Sequence, residues 1–170
     1  MKIKLNKGIT KYQEKQCELF SNYSVSSSLS EYKKRNQLDK AKIISDIYNG
    51  KIAEFLVYNF LVSKGKILNS PDLNIYSGYK KSFDADLILD SVNIHVKSHI
   101  VNGNFPVSWV FQRADPLVKS PSDKDYLSLV VLDDRGSYMY LKKSSEVEFK
   151  DPIKDVLKKT KVCVYETDIN

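Results

Sequence analysis

The chain has 170 residues, 42% of them hydrophobic, which is the size of one domain with its own core. Its net charge of +6 favours a polyanionic partner such as nucleic acid, the alternative being a solvated basic surface. Two cysteines without a Cys-x-x-Cys pair indicate neither a disulfide framework nor a cysteine zinc site. No apolar run approaches the ~20 residues of a membrane span, and the start lacks a signal-peptide pattern. We therefore expect a cytoplasmic protein without membrane contact.

The N-terminal segment, residues 1–38, is rich in lysine and serine. An amphipathic pattern from Ile9 to Phe20 predicts a helix, and the serine cluster Ser24 to Ser30 predicts a loop. The basic run that follows has two interpretations, phosphate contacts or a solvated helix end. It consists of Lys33, Lys34 and Arg35.

A helix is predicted from Asp39 to Lys64, with Gly65 as its stop. Its apolar residues recur at intervals of three and four: Ile43, Ile44, Ile47, Ile52, Phe55, Leu56, Phe60 and Leu61. Gly50 interrupts the pattern, which predicts either that two helices meet there or that something approaches the backbone closely. Glu54 lies among apolar residues and therefore needs a cation or a hydrogen-bond partner. The alternative is a surface glutamate paired with Lys51.

Two segments with different patterns come next. Residues 69–72, Asn-Ser-Pro-Asp, predict a turn. Tyr76 to Lys81 combines tyrosines with lysines, which suits stacking on bases beside phosphate contacts, here from Lys80 and Lys81. A half-buried strand is the alternative use of these tyrosines.

A β-hairpin is predicted within residues 82–99, with strands at Asp86–Asp90 and Asn93–Ser98. Because successive side chains of a strand point to opposite faces, one face is apolar and carries Leu87, Leu89, Ile94 and Val96. The opposite face collects Asp84, Asp86, His95, Lys97 and His99. This concentration of charge makes the polar face a candidate site.

The remaining elements complete an alternation of strands and short helices. Val107–Gln112 is predicted as a third strand and Asp125–Asp133 as a fourth, buried on both faces. Ser137–Leu141 is its hairpin partner. Asp151 and Pro152 predict the start of a helix to Lys159, with Asp151 as the N-cap. An edge strand is predicted at residues 162–165.

A helix with a buried glutamate, an Asp-bearing strand and a strand ending in x-Val-Lys follow one another in this chain. This order resembles the PD-(D/E)XK nuclease superfamily on Glu54 in GKIAEFLVYNFL, Asp86 in FDADLIL and His95-Val96-Lys97 in VNIHVKS. The resemblance covers residues 50–98, with further support from residues 109–112. It implies an α/β fold with a central mixed β-sheet flanked by helices and a restriction endonuclease-like core. We expect a single nuclease-like domain over residues 1–170.

The resemblance also implies residue roles. Asp86 is the metal-binding aspartate, Glu54 the helix carboxylate, Lys97 the catalytic lysine, and the Val96 carbonyl a further metal contact. Mg²⁺ suits two carboxylates plus waters and phosphate. His95 stands where the family has Asp or Glu, which weakens Mg²⁺ binding and leaves Mn²⁺ possible. Asp84 could compensate for the missing carboxylate or be the main ligand itself.

The expected activity is metal-dependent cleavage of double-stranded DNA by an endonuclease, in which His95 is a fourth catalytic candidate. A homodimer is plausible, because cutting both strands needs two active sites. The alternatives are a nuclease-fold module that binds nucleic acid without cleaving it and an RNA-directed nuclease. Nucleic-acid contacts are expected from Lys33, Lys34, Arg35, Lys80, Lys81, His99 and Gln112, with a plain surface histidine as the alternative for His99.

Overall fold

The structure is a computed structural model that describes residues 1–34, 37–76, 84–101, 103 and 105–169, with the side chains of 27–31 and 34 excepted. Three of the predicted nucleic-acid contacts, Arg35, Lys80 and Lys81, lie outside the described residues, as does the side chain of Lys34.

Two long helices form one layer of the fold. Helix α1 runs over Lys11–Lys34 and packs against α2, Lys40–Ser63. The loop predicted over Ser24–Ser30 was wrong, because the backbone of α1 is helical through it. The hydroxyl of Ser24 donates to the Phe20 carbonyl at 2.7 Å, and Val25 is fully buried. A bond within the helix and tertiary packing therefore outweigh the low helix propensity of serine.

The predicted helix from Asp39 is confirmed. The Asp39 carboxylate caps α2 by accepting from the Lys42 amide at 3.0 Å, and Gly65 ends the segment at a φ of 73°. Helix α2 is continuous through Gly50, so the predicted meeting of two helices there was wrong. Among the described residues, a Cβ added at Gly50 would meet nothing within 4 Å, so no part of the described chain accounts for the predicted close approach. The ~1 kcal/mol that a helical glycine costs is small beside the apolar face that α2 buries.

A mixed five-stranded sheet forms the centre of an α/β fold. The strands of the molecule are β1 Ile3–Lys4, β2 Leu87–Leu89, β3 Val92–Ile100, β4 Ser108–Gln112, β5 Asp125–Leu132, β6 Tyr138–Lys143 and β7 Lys161–Tyr165. The order in the central sheet is β1-β6-β5-β3-β2, and only β3 and β5 run parallel among its pairs. The predicted β2–β3 hairpin and β5–β6 pair are confirmed, and β5 is buried from Leu127 to Val131.

Strands β4 and β7 form a separate antiparallel two-stranded sheet. Both strands were predicted, but their pairing was not. The described residues also form two short α-helices, α3 Pro116–Lys119 and α4 Asp155–Lys158, and two 3-10 helices, Ser144–Glu146 and Glu166–Asp168. The predicted N-cap at Asp151 was wrong, because α4 begins after Lys154. The Asp151 carboxylate instead forms an ion pair with Arg113.

Each face of the central sheet has its own apolar cluster. Helix α2 covers one face, where its buried residues meet Leu87, Ile94, Val130 and Met139. The β4–β7 sheet covers the other face with Trp109, Phe111, Val162 and Val164 against Leu127, Leu129 and Val131. The indole nitrogen of Trp109 donates to the Val130 carbonyl at 2.9 Å and joins this layer to the central sheet. Within the described ranges, no helix has the length and apolar character that a membrane span requires.

Candidate functional site

The polar centre of the hairpin lies where β2 and β3 separate. On β3, β2 pairs with residues 92–94, whereas β3 continues to Ile100. Beyond the last pair, the Asp86 carboxylate accepts a hydrogen bond from the Val96 amide at 2.7 Å. A side chain therefore takes the place of the next main-chain bond of the ladder.

The main-chain groups of β3 alternate in direction along the strand. The amides of Asn93 and Val101 donate to the carbonyls of Lys124 and Leu132. The main-chain N–H and C=O groups of the odd-numbered residues of β3 therefore point toward β5. Val96 is therefore directed toward the β2 side, as its bond to Asp86 confirms. The carbonyl of Val96 points to the same side as its amide. An acidic side chain and a backbone oxygen thus share the β2 side of β3 beyond the last pair of the ladder.

Glu54 approaches this edge from α2. The residue is only 7% exposed, and the Lys51 ammonium lies 2.7 Å from its carboxylate. Burial, and next the charge of Asp86, raise the pKa of Glu54 to about 7 even though Lys51 opposes both effects. Lys51 also lies 5.0 Å from the centre of the Phe20 ring, which holds it on the α1 side. Glu54 therefore occupies a place where a further cation would be stabilised.

Glu54, Asp86 and Asp72 form an acidic group whose charges act on Glu54, and Asp72 is the member that the sequence did not indicate. Its carboxylate accepts from the Tyr76 hydroxyl at 2.6 Å and from the Asn74 amide at 2.9 Å. Partial burial opposes ionisation, but these bonds and the charge of Lys51 lower the pKa of Asp72 below its usual value. The charge of Asp72 contributes to the raised pKa of Glu54. Only the Asp-x-Asn turn pattern of residues 72–74 could have hinted at it.

Lys97 lies on the other face of β3. Its ammonium is 5.3 Å from the centre of the Phe111 ring, in the layer formed by β4 and β7, whereas Glu54 approaches on the α2 side. Lys97 is half-buried, and no ion pair to it is found in the part of the chain that the structure describes. Glu54 thus feels the charge of Asp86 on the α2 side, whereas the Lys97 ammonium lies on the opposite face of β3. Asp84 is exposed.

His95 belongs to a second polar cluster at the start of β3 and β5. The residue is 7% exposed, and its Nε2 atom lies 3.4 Å from the Asp125 carboxylate. Asp125 also accepts from the Ser122 hydroxyl at 2.5 Å and from the Asn93 amide group at 2.9 Å. These bonds, led by the one from Ser122, lower the pKa of Asp125. The structure therefore gives His95 a carboxylate partner other than Asp86 or Glu54.

The described nucleic-acid candidates lie on different elements. His99 Nδ1 is 2.8 Å from the Ser108 carbonyl, a contact in which the ring nitrogen donates, and its solvent-shielded Nε2 has no partner within the described residues. Gln112 is half-buried at the end of β4 opposite Lys161. Lys33 is exposed near the end of α1. Their roles stay predictions.

The donor set at the strand edge is composed of oxygen atoms. Among the described residues, no group of three or more His, Cys, Asp or Glu side chains is arranged to hold a metal ion. Mg²⁺ commonly binds through one or two carboxylates and takes its other ligands from water and substrate phosphate. Glu54, Asp86 and the Val96 carbonyl fit that requirement by their chemistry.

The chain matches no protein-family model, no curated protein and no solved structure. The family resemblance therefore stays a prediction from the order of the motifs.

Proposed function

We propose that the protein is a metal-dependent phosphodiester hydrolase with a restriction endonuclease-like core that cleaves DNA as an endonuclease. The observation that carries the proposal is the burial of Glu54 beside Asp86, where β2 and β3 separate. A carboxylate in a partly dry place, with a second negative charge near it, favours a bound cation. The excess of positive charge over the whole chain, +6, favours an anionic substrate.

Glu54 and Asp86 would hold Mg²⁺ or Mn²⁺ together with the Val96 carbonyl. When bound, the ion supplies a Lewis acid that neutralises phosphate charge and makes a water molecule nucleophilic near neutral pH. Val96 fixes the Asp86 carboxylate by its amide, and Lys51 fixes that of Glu54. Asp86 is favoured over the exposed Asp84 as the main ligand, because only Asp86 has a described bond that orients it.

Lys97 follows Val96 directly, so its backbone nitrogen is bonded to the Val96 carbonyl group. As an ammonium it would donate hydrogen bonds to a phosphate oxygen, and as a neutral amine it would accept the proton of the attacking water. Among the described residues, Lys97 contacts the Phe111 ring and forms no ion pair with a carboxylate that would hold its ammonium in place. His95 would act through Asp125 as a positioning residue for the start of β3.

The decisive experiment is a titration of Mg²⁺ and Mn²⁺ against a labelled DNA duplex. Cleavage should depend on the divalent ion and fall at least about 100-fold in Lys97→Ala, a usual effect of losing an acid–base group. Lys64→Ala is the matched control, because Lys64 also lies over a ring, 5.7 Å from that of Phe60, at the end of α2. Equal cleavage by both variants would contradict the proposed role of Lys97.

A nucleic-acid-binding module without cleavage is the second candidate, favoured by the histidine in place of an acidic ligand at position 95. Its signature is binding of the duplex with no cleavage under any divalent ion. An RNA-directed nuclease is separated from both by DNA and RNA substrates of one sequence, compared side by side. A homodimer, which would provide two active sites for the two strands, predicts a doubled mass in solution.

A further inference from the structure

A cavity of about 220 Å³ lies against the second sheet, at some distance from Glu54 and Asp86. One wall is the face of the β4–β7 sheet that points away from the central sheet, and the other is the segment that leads into α4. The residues that matter for its chemistry are His99, Phe105, Val110, Ile153, Lys154 and Tyr165.

The cavity combines apolar walls with one lysine, Lys154. Phe105 is 48% exposed and Ile153 61%, so large apolar surfaces are left open to solvent. The Lys154 ammonium lies 4.4 Å from the centre of the Phe105 ring. The Tyr165 hydroxyl donates to the Asp151 carbonyl at 3.0 Å, which fixes its ring in the wall. Aromatic rings beside a cation are the recognition elements for a flat aromatic group that carries an anion.

The size of the cavity limits its occupant. Pockets for drug-sized ligands span roughly 300–1,000 Å³. A cavity of about 220 Å³ is smaller and accommodates a single planar ring system, with any sugar and phosphate left outside. Lys154 is exposed, so its ammonium can contact a phosphate that stays outside the cavity.

The position of the cavity relates it to the proposed catalytic lysine. His99 lines the cavity and lies two residues beyond Lys97 on the same face of β3. Two residues of strand span ~7 Å at about 3.3 Å each. This is the spacing of the two Cα atoms, and it places the His99 wall of the cavity and Lys97 in the same half of β3. The bond from His99 to the Ser108 carbonyl holds this wall in place.

We propose that this cavity, hereafter the base pocket, binds one unstacked nucleobase of the DNA strand beside the phosphodiester that is cleaved. The inference rests on the proposed function and adds its substrate class. Unstacking a base costs least where the base is mismatched or already single-stranded. The preferred substrate is therefore DNA with an unpaired base near the cleavage position, and fully paired duplex is bound more weakly.

The test uses the full chain in the Lys97→Ala background with Mg²⁺, so that the DNA stays intact. The probe is a duplex with one mismatched 2-aminopurine, whose fluorescence rises when the base leaves the stack. Val110→Trp fills the pocket from a wall residue that is 45% exposed. Val156→Trp is the matched control, because Val156 is 84% exposed on α4 and does not line the pocket.

Binding of the protein should change the 2-aminopurine fluorescence as the base exchanges its DNA neighbours for the pocket, and Val110→Trp should abolish that change and weaken binding at least about tenfold, the scale of one base–aromatic stack. Val156→Trp should change neither quantity. Phe105→Ala, at an exposed position, should weaken binding in the same direction and guards against misfolding of the tryptophan variant. An abasic site in place of the 2-aminopurine should remove the difference between Val110→Trp and its background.

The outcomes separate the two proposals. If the wild-type chain cleaves DNA but Val110→Trp binds the mismatched duplex as tightly as Val156→Trp, the base pocket is refuted and the nuclease stands. If no DNA is bound or cleaved under any divalent ion, both proposals fail. A response to RNA of the same sequence but not to DNA would overturn the proposed substrate class.

Discussion

The Asp86 carboxylate accepts a hydrogen bond of 2.7 Å from the Val96 amide, one residue beyond the last β2–β3 pair. This bond ends the ladder with a side chain instead of a backbone carbonyl. It uses the Oδ2 atom of Asp86, so the Oδ1 atom is not part of this bond. The Val96 carbonyl points to the same edge, and Lys97 comes next in the chain. One local arrangement thus fixes the Asp86 carboxylate and the direction of the Val96 carbonyl, whereas the Lys97 ammonium lies on the other face of β3 beside Phe111.

Asp86→Asn should separate the charge of this residue from its structural bond. The asparagine oxygen can still accept from Val96, so we expect thermal stability to change little, whereas Mn²⁺ affinity by titration calorimetry should fall at least about tenfold because one anionic ligand is lost. Asp90→Asn is the control, since Asp90 lies in the turn of the same hairpin with a φ of 54° that asparagine tolerates. Unchanged Mn²⁺ affinity in Asp86→Asn would count against the proposed metal site.

Glu54 should make the stability of the metal-free protein depend on pH. Its pKa is raised from 4.5 to about 7 on folding, so the folded state binds more protons than the unfolded state between these values. The contribution of Glu54 is therefore most favourable below about pH 4.5 and is lost as the pH rises through 7. The free energy of unfolding from urea titrations at pH 5 and pH 8 should show this loss, and Glu54→Gln should remove it.

Divalent ions should reverse that loss at pH 8. A ligand that binds only the folded state stabilises it in proportion to the logarithm of its concentration above Kd, so Mn²⁺ should raise the melting temperature of the wild type but not of Glu54→Gln. Glu18→Gln is the control, because Glu18 is an exposed partner of Lys15 on α1. The same Mn²⁺ shift in Glu54→Gln as in Glu18→Gln would exclude Glu54 as a ligand.

Lys51 should act as the internal counter-ion of the acidic group. Lys51→Met leaves the Glu54 carboxylate without its partner at 2.7 Å, so the metal-free protein should lose about 3 kcal/mol of stability at pH 8, as for other broken buried pairs. The loss should be smaller at pH 5, where Glu54 is protonated. Mn²⁺ affinity should rise, because a competing positive charge is gone.

The control for Lys51 is Lys42→Met on the same helix. Lys42 pairs with Asp46 at 2.9 Å, but both side chains are exposed, so the expected change is within about 0.5 kcal/mol. If the two variants lose the same free energy of unfolding, the pair of Lys51 with Glu54 contributes no more than an exposed ion pair. If Lys51→Met lowers Mn²⁺ affinity, Lys51 supports the ligand geometry instead of competing with the ion.

Local periodicity was sufficient to predict the parts of the fold that carry the site. Helix α2 and the β2–β3 hairpin were predicted because their apolar residues recur at helical and strand spacing. The helical state of the serine cluster in α1 was not predicted. Serine favours loops unless its hydroxyl bonds to the preceding helical turn, as Ser24 does, and the burial of Val25 depends on tertiary packing that spacing does not reveal. The separate β4–β7 sheet was missed for a related reason. A strand pattern identifies the buried face but not the strand that pairs with it.

The same distinction applies to the candidate site. Alternation along β3 already implied that Val96 and Lys97 point to opposite faces. That Glu54 meets the Val96 side follows only from the packing of α2 on Ile94. Asp72 joins the acidic group through an irregular segment, for which spacing gives no prediction.

His95 should prove to be a positioning residue that acts through Asp125. We expect His95→Ala and Asp125→Ala each to lower stability by about 1 kcal/mol and to be non-additive when combined, because the two side chains share one contact at 3.4 Å. Cleavage per folded molecule should fall less than about tenfold in His95→Ala, far less than in Lys97→Ala.

His95→Asp gives the sharper distinction, since it restores the acidic residue that the family pattern has at this position. With Asp125 as its neighbour, the new carboxylate should destabilise the fold by charge repulsion and leave Mn²⁺ affinity unchanged. A gain in Mn²⁺ affinity would instead place residue 95 on the metal.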